Sequence, residues 1–164
     1  MMVRILLVLL LCIGKASYAN KAVDELNAML VKKQAPKTNV ASQSSEIRDL
    51  SENYYFVFIY RSTCPHCHKF APILKDFSNT FHIKVQGYSL DSESLEGFDG
   101  KPLTPELFQT FYVDGGFKAT VPALFLVNRH TKEAYAVLFG EASPYQLARR
   151  VHELKQHIEE RFHE

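Results

Sequence analysis

The hydrophobic positions along the chain predict alternating strands and helices from residue 54 onward. A continuous apolar and aromatic run at Tyr54–Tyr60 is typical of a central strand that is covered on both faces. Apolar residues then recur at steps of four, three and four between Phe70 and Phe81, which predicts one buried face of a helix ending near His82. Residues 83–88 have the pattern of the next strand.

The second half of the chain predicts an irregular insert followed by two strands and a helix. Residues 91–118 are interrupted by glycines and prolines, and a short helix is expected to begin at Thr104-Pro105. Strands are predicted at residues 123–127 and 134–139, with a turn between them short enough to make them antiparallel. Ser143-Pro144-Tyr145-Gln146 has the pattern of a capping box and predicts the start of a final helix. This order predicts an α/β fold with a mixed central sheet flanked by helices.

The start of the chain has the pattern of an export signal. Residues 1–19 combine a positive charge at Arg4, an apolar run at Ile5–Gly14 and small residues before the expected cleavage point. That run is too short to cross a hydrocarbon core of about 30 Å as a helix. We therefore expect a cleaved signal peptide and a periplasmic product, in which residues 20–46 form a helix and a polar linker and residues 47–164 form the folded domain.

The net charge and the cysteine content narrow the range of functions that the chain could have. The net charge of +1, without a basic run, gives no footprint for a nucleic-acid partner. Beyond the predicted signal peptide the cysteines are Cys64 and Cys67. Exported proteins meet an oxidising compartment, but a disulfide across two intervening residues closes too short a loop to constrain the unfolded chain much. This pair is therefore expected to serve chemistry rather than stability.

The sequence Cys64-Pro65-His66-Cys67 lies where the first strand gives way to a helix. The free N–H groups and the dipole at a helix N-terminus favour a thiolate on Cys64, and a protonated His66 would add to this effect. The Cys64 thiolate would attack a substrate disulfide, and Cys67 would then release the substrate from the mixed disulfide. We expect Pro65 and His66 to tune the pair toward oxidation or isomerisation rather than reduction.

Two other functions fit parts of the same sequence. Cys64-x-x-Cys67-His68 matches the attachment pattern of c-type haem, so a haem electron carrier stays open as an alternative. A module that binds unfolded chains, with incidental cysteines, is a second alternative. Structural zinc requires four ligands and further cysteines are lacking, so the leading interpretation has no metal and no bound cofactor.

Two segments resemble the active-site regions of thioredoxins. The Cys-Pro-His-Cys motif and the Phe-Ala-Pro-Ile-Leu that follows it resemble the active-site helix, and Thr120–Phe125 resembles the cis-proline loop. The resemblance implies a thioredoxin-like fold in which the insert at residues 91–118 precedes the cis-proline loop. It also implies that Val121 and Pro122 lie beside the cysteines, joined by a cis bond, and bind the substrate chain.

Three further segments resemble the TrbB group, the exported thiol–disulfide isomerases of F-type conjugative transfer systems. These segments are Gly87–Asp91, Pro105–Phe111 and Phe125–Asn128. The resemblance implies disulfide formation or shuffling in exported, cysteine-containing proteins of the pilus and transfer apparatus. Independently of this resemblance, a membrane redox partner that exchanges electrons with the cysteine pair is a further expectation.

One position departs from the thioredoxin pattern. Thioredoxins carry a buried acid in the strand before the cysteines, and Phe58 stands at the matching position here. The proton acceptor for Cys67 is therefore left open among water, His66 and a residue of the insert.

Overall fold

Strands and helices alternate along the chain in the predicted order. The computed structural model describes residues 47 and 50–162, which belong to one of the two units into which the chain divides, Gln43–Glu164. The predicted signal peptide at residues 1–19 and the predicted helix and linker at residues 20–46 lie outside the described residues. A helical turn at residues 50–53 leads directly into the first strand.

The elements agree closely with the sequence pattern. They are β1 (Tyr54–Tyr60), α1 (Pro65–Phe81), β2 (Val85–Ser89), α2 (Pro105–Phe108), a π-helical turn (Gln109–Val113), β3 (Ala123–Asn128), β4 (Ala134–Phe139) and α3 (Pro144–Phe162). The predicted second strand began at residue 83 and is two residues too early. Ile83 instead closes the end of α1, because its N–H donates to the Ser78 carbonyl and its own carbonyl accepts from the Ser78 hydroxyl.

The strands form a mixed sheet, as predicted. Within the described residues the order is β2-β1-β3-β4. β1 runs parallel to β2 and antiparallel to β3, and β3 runs antiparallel to β4. The predicted α/β fold of the thioredoxin-like class is therefore confirmed.

The central strand supplies side chains to apolar clusters on both faces of the sheet. Phe56, Phe58 and Tyr60 pack into one cluster together with residues of α1 and α3. Val57 and Ile59 pack into another cluster together with residues of the π-helical turn. Successive side chains of a strand point to opposite faces, so a strand covered on both faces must be apolar throughout.

The insert contributes to the core instead of lying on it as a loose loop. Leu95 and Phe98 are buried in the same cluster as β1. The ring centroid of Phe98 lies 5.0 Å from that of Phe58 and 5.8 Å from that of Tyr60. The insert therefore completes the apolar layer beside α1.

The short helix in the insert continues into a π-helical turn that the sequence did not predict. Thr104 caps α2 as predicted, with its hydroxyl accepting from the Leu107 N–H at 3.3 Å. Beyond α2, the Asp114 N–H donates to the Gln109 carbonyl, five residues earlier. No helix in the described part of the chain is both long and apolar enough to cross a bilayer.

Candidate active site

Cys64 is the N-cap of α1. Its backbone is extended, with φ −84° and ψ 114°, and Pro65 begins the helix. The Cys64 Sγ accepts a hydrogen bond from the Cys67 N–H at 3.4 Å. The residue is only partly buried, which leaves it accessible to a reacting disulfide. The free N–H groups of the first turn favour negative charge on this sulfur.

Cys67 lies one turn into α1 and is fully buried, with 0% of its surface exposed. This confirms the expectation that it is the more buried cysteine. Burial raises the pKa of the Cys67 thiol to about 12, and its hydrogen bond with Cys64 adds to the shift. Cys67 is therefore held as a thiol while Cys64 is only partly buried, an asymmetry that suits an attacking and a resolving cysteine.

Val121 and Pro122 lie beside the cysteine pair. The Val121–Pro122 peptide bond is cis, as expected from the thioredoxin resemblance. The Val121 carbonyl oxygen is 3.9 Å from the Cys64 Sγ. This arrangement leaves the backbone at Val121 next to the sulfur that would be joined to a substrate.

Among the described residues, His66 makes no hydrogen bond to the Cys64 sulfur. Its Nδ1 lies 3.1 Å from Oε2 of Glu141, on the loop between β4 and α3, and Lys69 Nζ lies 3.8 Å from the same oxygen. The expectation that His66 stabilises a Cys64 thiolate directly has no contact to support it among the described residues. Sequence reasoning missed Glu141, because nothing but the strand end at Gly140 marked its loop.

The backbone just before Cys64 is held from two sides. The Asp91 carboxylate accepts from the Ser62 N–H at 3.2 and 3.1 Å and from the Ser62 hydroxyl at 2.8 Å. The Ser89 hydroxyl donates to Asp91 at 2.6 Å, and His68 Nε2 lies 2.6 Å from the Ser62 carbonyl oxygen. Sequence reasoning also missed Asp91, although it lies only three residues beyond the second predicted strand.

Asp91 is suited to holding this loop rather than to accepting a proton. The hydrogen bonds from Ser89, and then those from Ser62, keep the pKa of Asp91 well below its usual value. A carboxylate stabilised in this way is a weak base. Phe58 is fully buried in the core, so β1 presents no acid at the position where thioredoxins have one.

The contact of His68 bears on the haem alternative. A carbonyl oxygen only accepts hydrogen bonds, so the Nε2 that faces Ser62 carries the proton. An imidazole binds a metal through a nitrogen without a proton, and Nε2 is therefore committed elsewhere. Among residues 50–162, no three or more His, Cys, Asp or Glu side chains are grouped so that they could hold a metal ion.

The sequence also matches known proteins. Residues 26–152 match the family described as TraF, F plasmid transfer operon protein. The chain belongs to this TraF family. It is 34% identical over 85 residues to Protein TrbB of Escherichia coli strain K12, and this match covers 51% of the chain and 46% of that protein. The chain thus spans about half the length of this relative, and the predicted resemblance to TrbB is confirmed.

Two solved structures similar to this TraF-family chain show how far the likeness of fold extends. A thiol:disulfide interchange protein of the thioredoxin family from Chlorobium tepidum TLS is 18% identical, with a TM-score of 0.49, over 65% of this chain and 83% of that one. MTB dsbF, in mixed oxidized and reduced forms, is 17% identical, with a TM-score of 0.43, over 65% of this chain and 84% of that one. The fold assignment rests on the strand order, the helix after β1 and the proline loop before β3.

Proposed function

We propose that this TraF-family chain is an exported thiol–disulfide oxidoreductase that forms or shuffles disulfides in periplasmic proteins of conjugative transfer. The observation that carries the proposal is the pairing of a partly exposed Cys64 at a helix N-cap with a fully buried Cys67 one turn away. The family and the similarity to Protein TrbB support the conjugative setting.

The exchange begins at Cys64. Its thiolate attacks one sulfur of a substrate disulfide, forming a Cys64–substrate disulfide, and the other substrate sulfur leaves as a thiolate that takes up a proton. In isomerisation, that substrate thiolate or another attacks the mixed disulfide and restores Cys64. Otherwise the Cys67 sulfur gives up its proton and attacks Cys64, leaving the pair oxidised and the substrate reduced by two electrons.

The reverse sequence oxidises a substrate dithiol and needs a Cys64–Cys67 disulfide at the start. An oxidase therefore depends on a partner that removes two electrons from the pair, whereas an isomerase depends on keeping Cys64 reduced. We expect a membrane redox partner to set this state. The substrates are exported proteins with cysteines in extended segments, which can pair with the backbone at Val121.

The deciding experiment is the reduction potential of the Cys64–Cys67 pair, measured by equilibration in glutathione buffers. A value near −120 to −180 mV falls at the oxidising end of known thiol–disulfide enzymes and supports oxidase or isomerase activity. A value near −270 mV points to a reductase. Failure to form any Cys64–Cys67 disulfide overturns the proposal.

Two variants separate exchange from mere binding. Cys67→Ser should accumulate a mixed disulfide between Cys64 and a model substrate such as scrambled ribonuclease, because the resolving thiol is gone. Cys64→Ser should abolish reactivation of scrambled ribonuclease. The chain is a binding module if the wild type reactivates no ribonuclease and Cys64→Ser still prevents aggregation as well as the wild type does. A haem absorption band in the protein purified from the periplasm would instead identify the chain as a c-type haem electron carrier.

Export is tested on the full chain expressed in a Gram-negative host. The proposal predicts a periplasmic product whose N-terminus is Asn20. A product that stays in the cytoplasm with its first residues intact contradicts the periplasmic assignment without affecting the chemistry of the pair.

A further inference from the structure

We infer that Glu141 is a positioning residue that holds the His66 imidazole away from Cys64 and so makes the cysteine pair less oxidising than its Pro-His sequence alone would make it. The inference rests on the proposed thiol–disulfide exchange, since it concerns the balance between the oxidised and reduced pair. It assigns a role to a loop residue far from the motif in sequence.

The contact with Glu141 fixes which atom of His66 is occupied. His66 Nδ1 lies 3.1 Å from Glu141 Oε2, within ion-pair distance, and a carboxylate favours a proton on the nitrogen that faces it because it only accepts hydrogen bonds. Among the described residues, Cys64 accepts no hydrogen bond from His66. Its Sγ instead contacts the Cys67 N–H and the Val121 carbonyl oxygen. The described contacts of the His66 imidazole are therefore with Glu141 and not with the sulfur that it could otherwise stabilise.

The loop that carries Glu141 is fastened at both ends. On one side, the Gly140 N–H donates to the Pro122 carbonyl at 2.7 Å. On the other, Ser143 and Gln146 form the predicted capping box, with the Ser143 N–H donating to Gln146 Oε1 at 2.9 Å. A carboxylate on a fastened loop loses less conformational freedom when it binds His66 than one on a free loop would.

Glu141 acts on Cys64 through His66. Its contact with Nδ1 keeps the imidazole from donating to a Cys64 thiolate, which destabilises the reduced pair relative to the disulfide. His66 and Glu141 are 60% and 42% exposed, so solvent and salt weaken the effect, and we expect a moderate change rather than a large one.

The test measures the equilibrium in which oxidised protein and two glutathiones give reduced protein and glutathione disulfide. Glu141→Gln should raise this equilibrium constant at least threefold, a shift of about 14 mV toward a more oxidising pair. The rise should shrink at 1 M salt, which screens charge over about 3 Å. Glu160→Gln makes the same chemical change near the far end of α3 and should leave the constant unchanged.

A double-mutant cycle shows whether Glu141 acts through His66. In a His66→Asn background, Glu141→Gln should change the constant by less than half as much on a logarithmic scale. An unchanged or lowered constant in the Glu141→Gln variant overturns the inference, and so does an equal rise in both backgrounds. If the wild type forms no Cys64–Cys67 disulfide at all, the proposed function itself has failed, and the two failures are thereby distinguished.

Discussion

At the level of single residues, the two cysteines differ because one caps a helix and the other lies inside it. Pro65 starts α1 without needing a partner for its backbone nitrogen, which leaves the N-cap to Cys64. The helical repeat then turns Cys67 inward among Phe70 and the other buried residues of the same face. Identical side chains three positions apart thus differ in exposure, with Cys64 partly buried and Cys67 fully buried.

This difference predicts selective alkylation of the reduced protein. Burial keeps the pKa of Cys67 at about 12, so it carries almost no thiolate at pH 8. Brief treatment with iodoacetamide should therefore add one label, on Cys64, as read by mass spectrometry of the peptides. Unfolding in urea should allow two labels on the protein without residues 1–19, because Cys12 lies in the predicted signal peptide. Equal labelling of both cysteines in the folded protein would show that Cys67 is neither buried nor held as a thiol.

A second residue-level prediction concerns Asp91. Hydrogen bonds lower its pKa in the folded protein, and a carboxyl of this kind adds stability above its unfolded pKa of about 3.9. That contribution is lost as the pH falls below about 4 toward the folded pKa. Asp91→Asn should therefore lower the urea midpoint at pH 7, and the gap to wild type should narrow at pH 3.

The control for Asp91 is Asp76→Asn, which makes the same change on the exposed face of α1. It should leave the midpoint nearly unchanged at both pH values. A gap between wild type and Asp91→Asn that stays constant with pH would mean that the carboxylate charge contributes nothing beyond its shape.

At the level of elements, β2 and the insert are fitted to each other. A Cβ added to Gly87 would lie 2.5 Å from Cδ1 of Phe98, and Phe98 is held between Phe58 and Tyr60. Gly87→Ala should therefore reduce the unfolding free energy by about 1–3 kcal/mol, although alanine is otherwise favoured over glycine inside a strand.

Chemical denaturation of Gly87→Ala, of Phe98→Leu and of the double variant Gly87→Ala/Phe98→Leu measures this fit. A leucine side chain in place of the phenylalanine ring should make the glycine substitution less costly than it is in the wild-type background. If Gly87→Ala costs the same in both backgrounds, the close approach of Phe98 is not what requires glycine at this position.

Some elements could be predicted from the pattern and others could not. β1 and β4 end where predicted. In each case the apolar run stops at a residue that breaks the pattern, Arg61 after β1 and Gly140 after β4. The π-helical turn was not predicted, because within one turn the apolar spacing does not separate bonds over four residues from bonds over five. The packing of Leu95 and Phe98 was missed because polar residues and glycines isolate them in sequence.

At the level of the whole molecule, the sheet topology explains which site residues the sequence could reveal. Parallel strands end at the same edge of a sheet, so the ends of β1 and β2 bring Ser62 and Asp91 together. β3 begins at that edge and β4 ends there, which adds Pro122 and Gly140. The motif predicted the cysteines and the resemblance to thioredoxins implied the proline loop, whereas Asp91 and Glu141 follow only from this strand arrangement.

The position of Cys64 at the start of α1 predicts how the stability of the whole protein differs between its two redox states. In the reduced protein, Cys64 Sγ accepts a hydrogen bond from the Cys67 N–H at the start of α1. A thiolate at this position interacts favourably with the helix dipole. A folded pair that is more oxidising than the unfolded one must, by the thermodynamic cycle, stabilise the reduced protein. Each 30 mV of difference corresponds to about 1.4 kcal/mol.

Urea unfolding of the oxidised and dithiothreitol-reduced proteins measures this difference directly. We expect the higher midpoint for the reduced form, with a gap in unfolding free energy that equals the difference between the folded and unfolded reduction potentials. The Cys64→Ser/Cys67→Ser variant should unfold at one midpoint with or without dithiothreitol. A higher midpoint for the oxidised form would mean that folding favours the disulfide, and the pair would then work as a reductant because the fold stabilises its oxidised state.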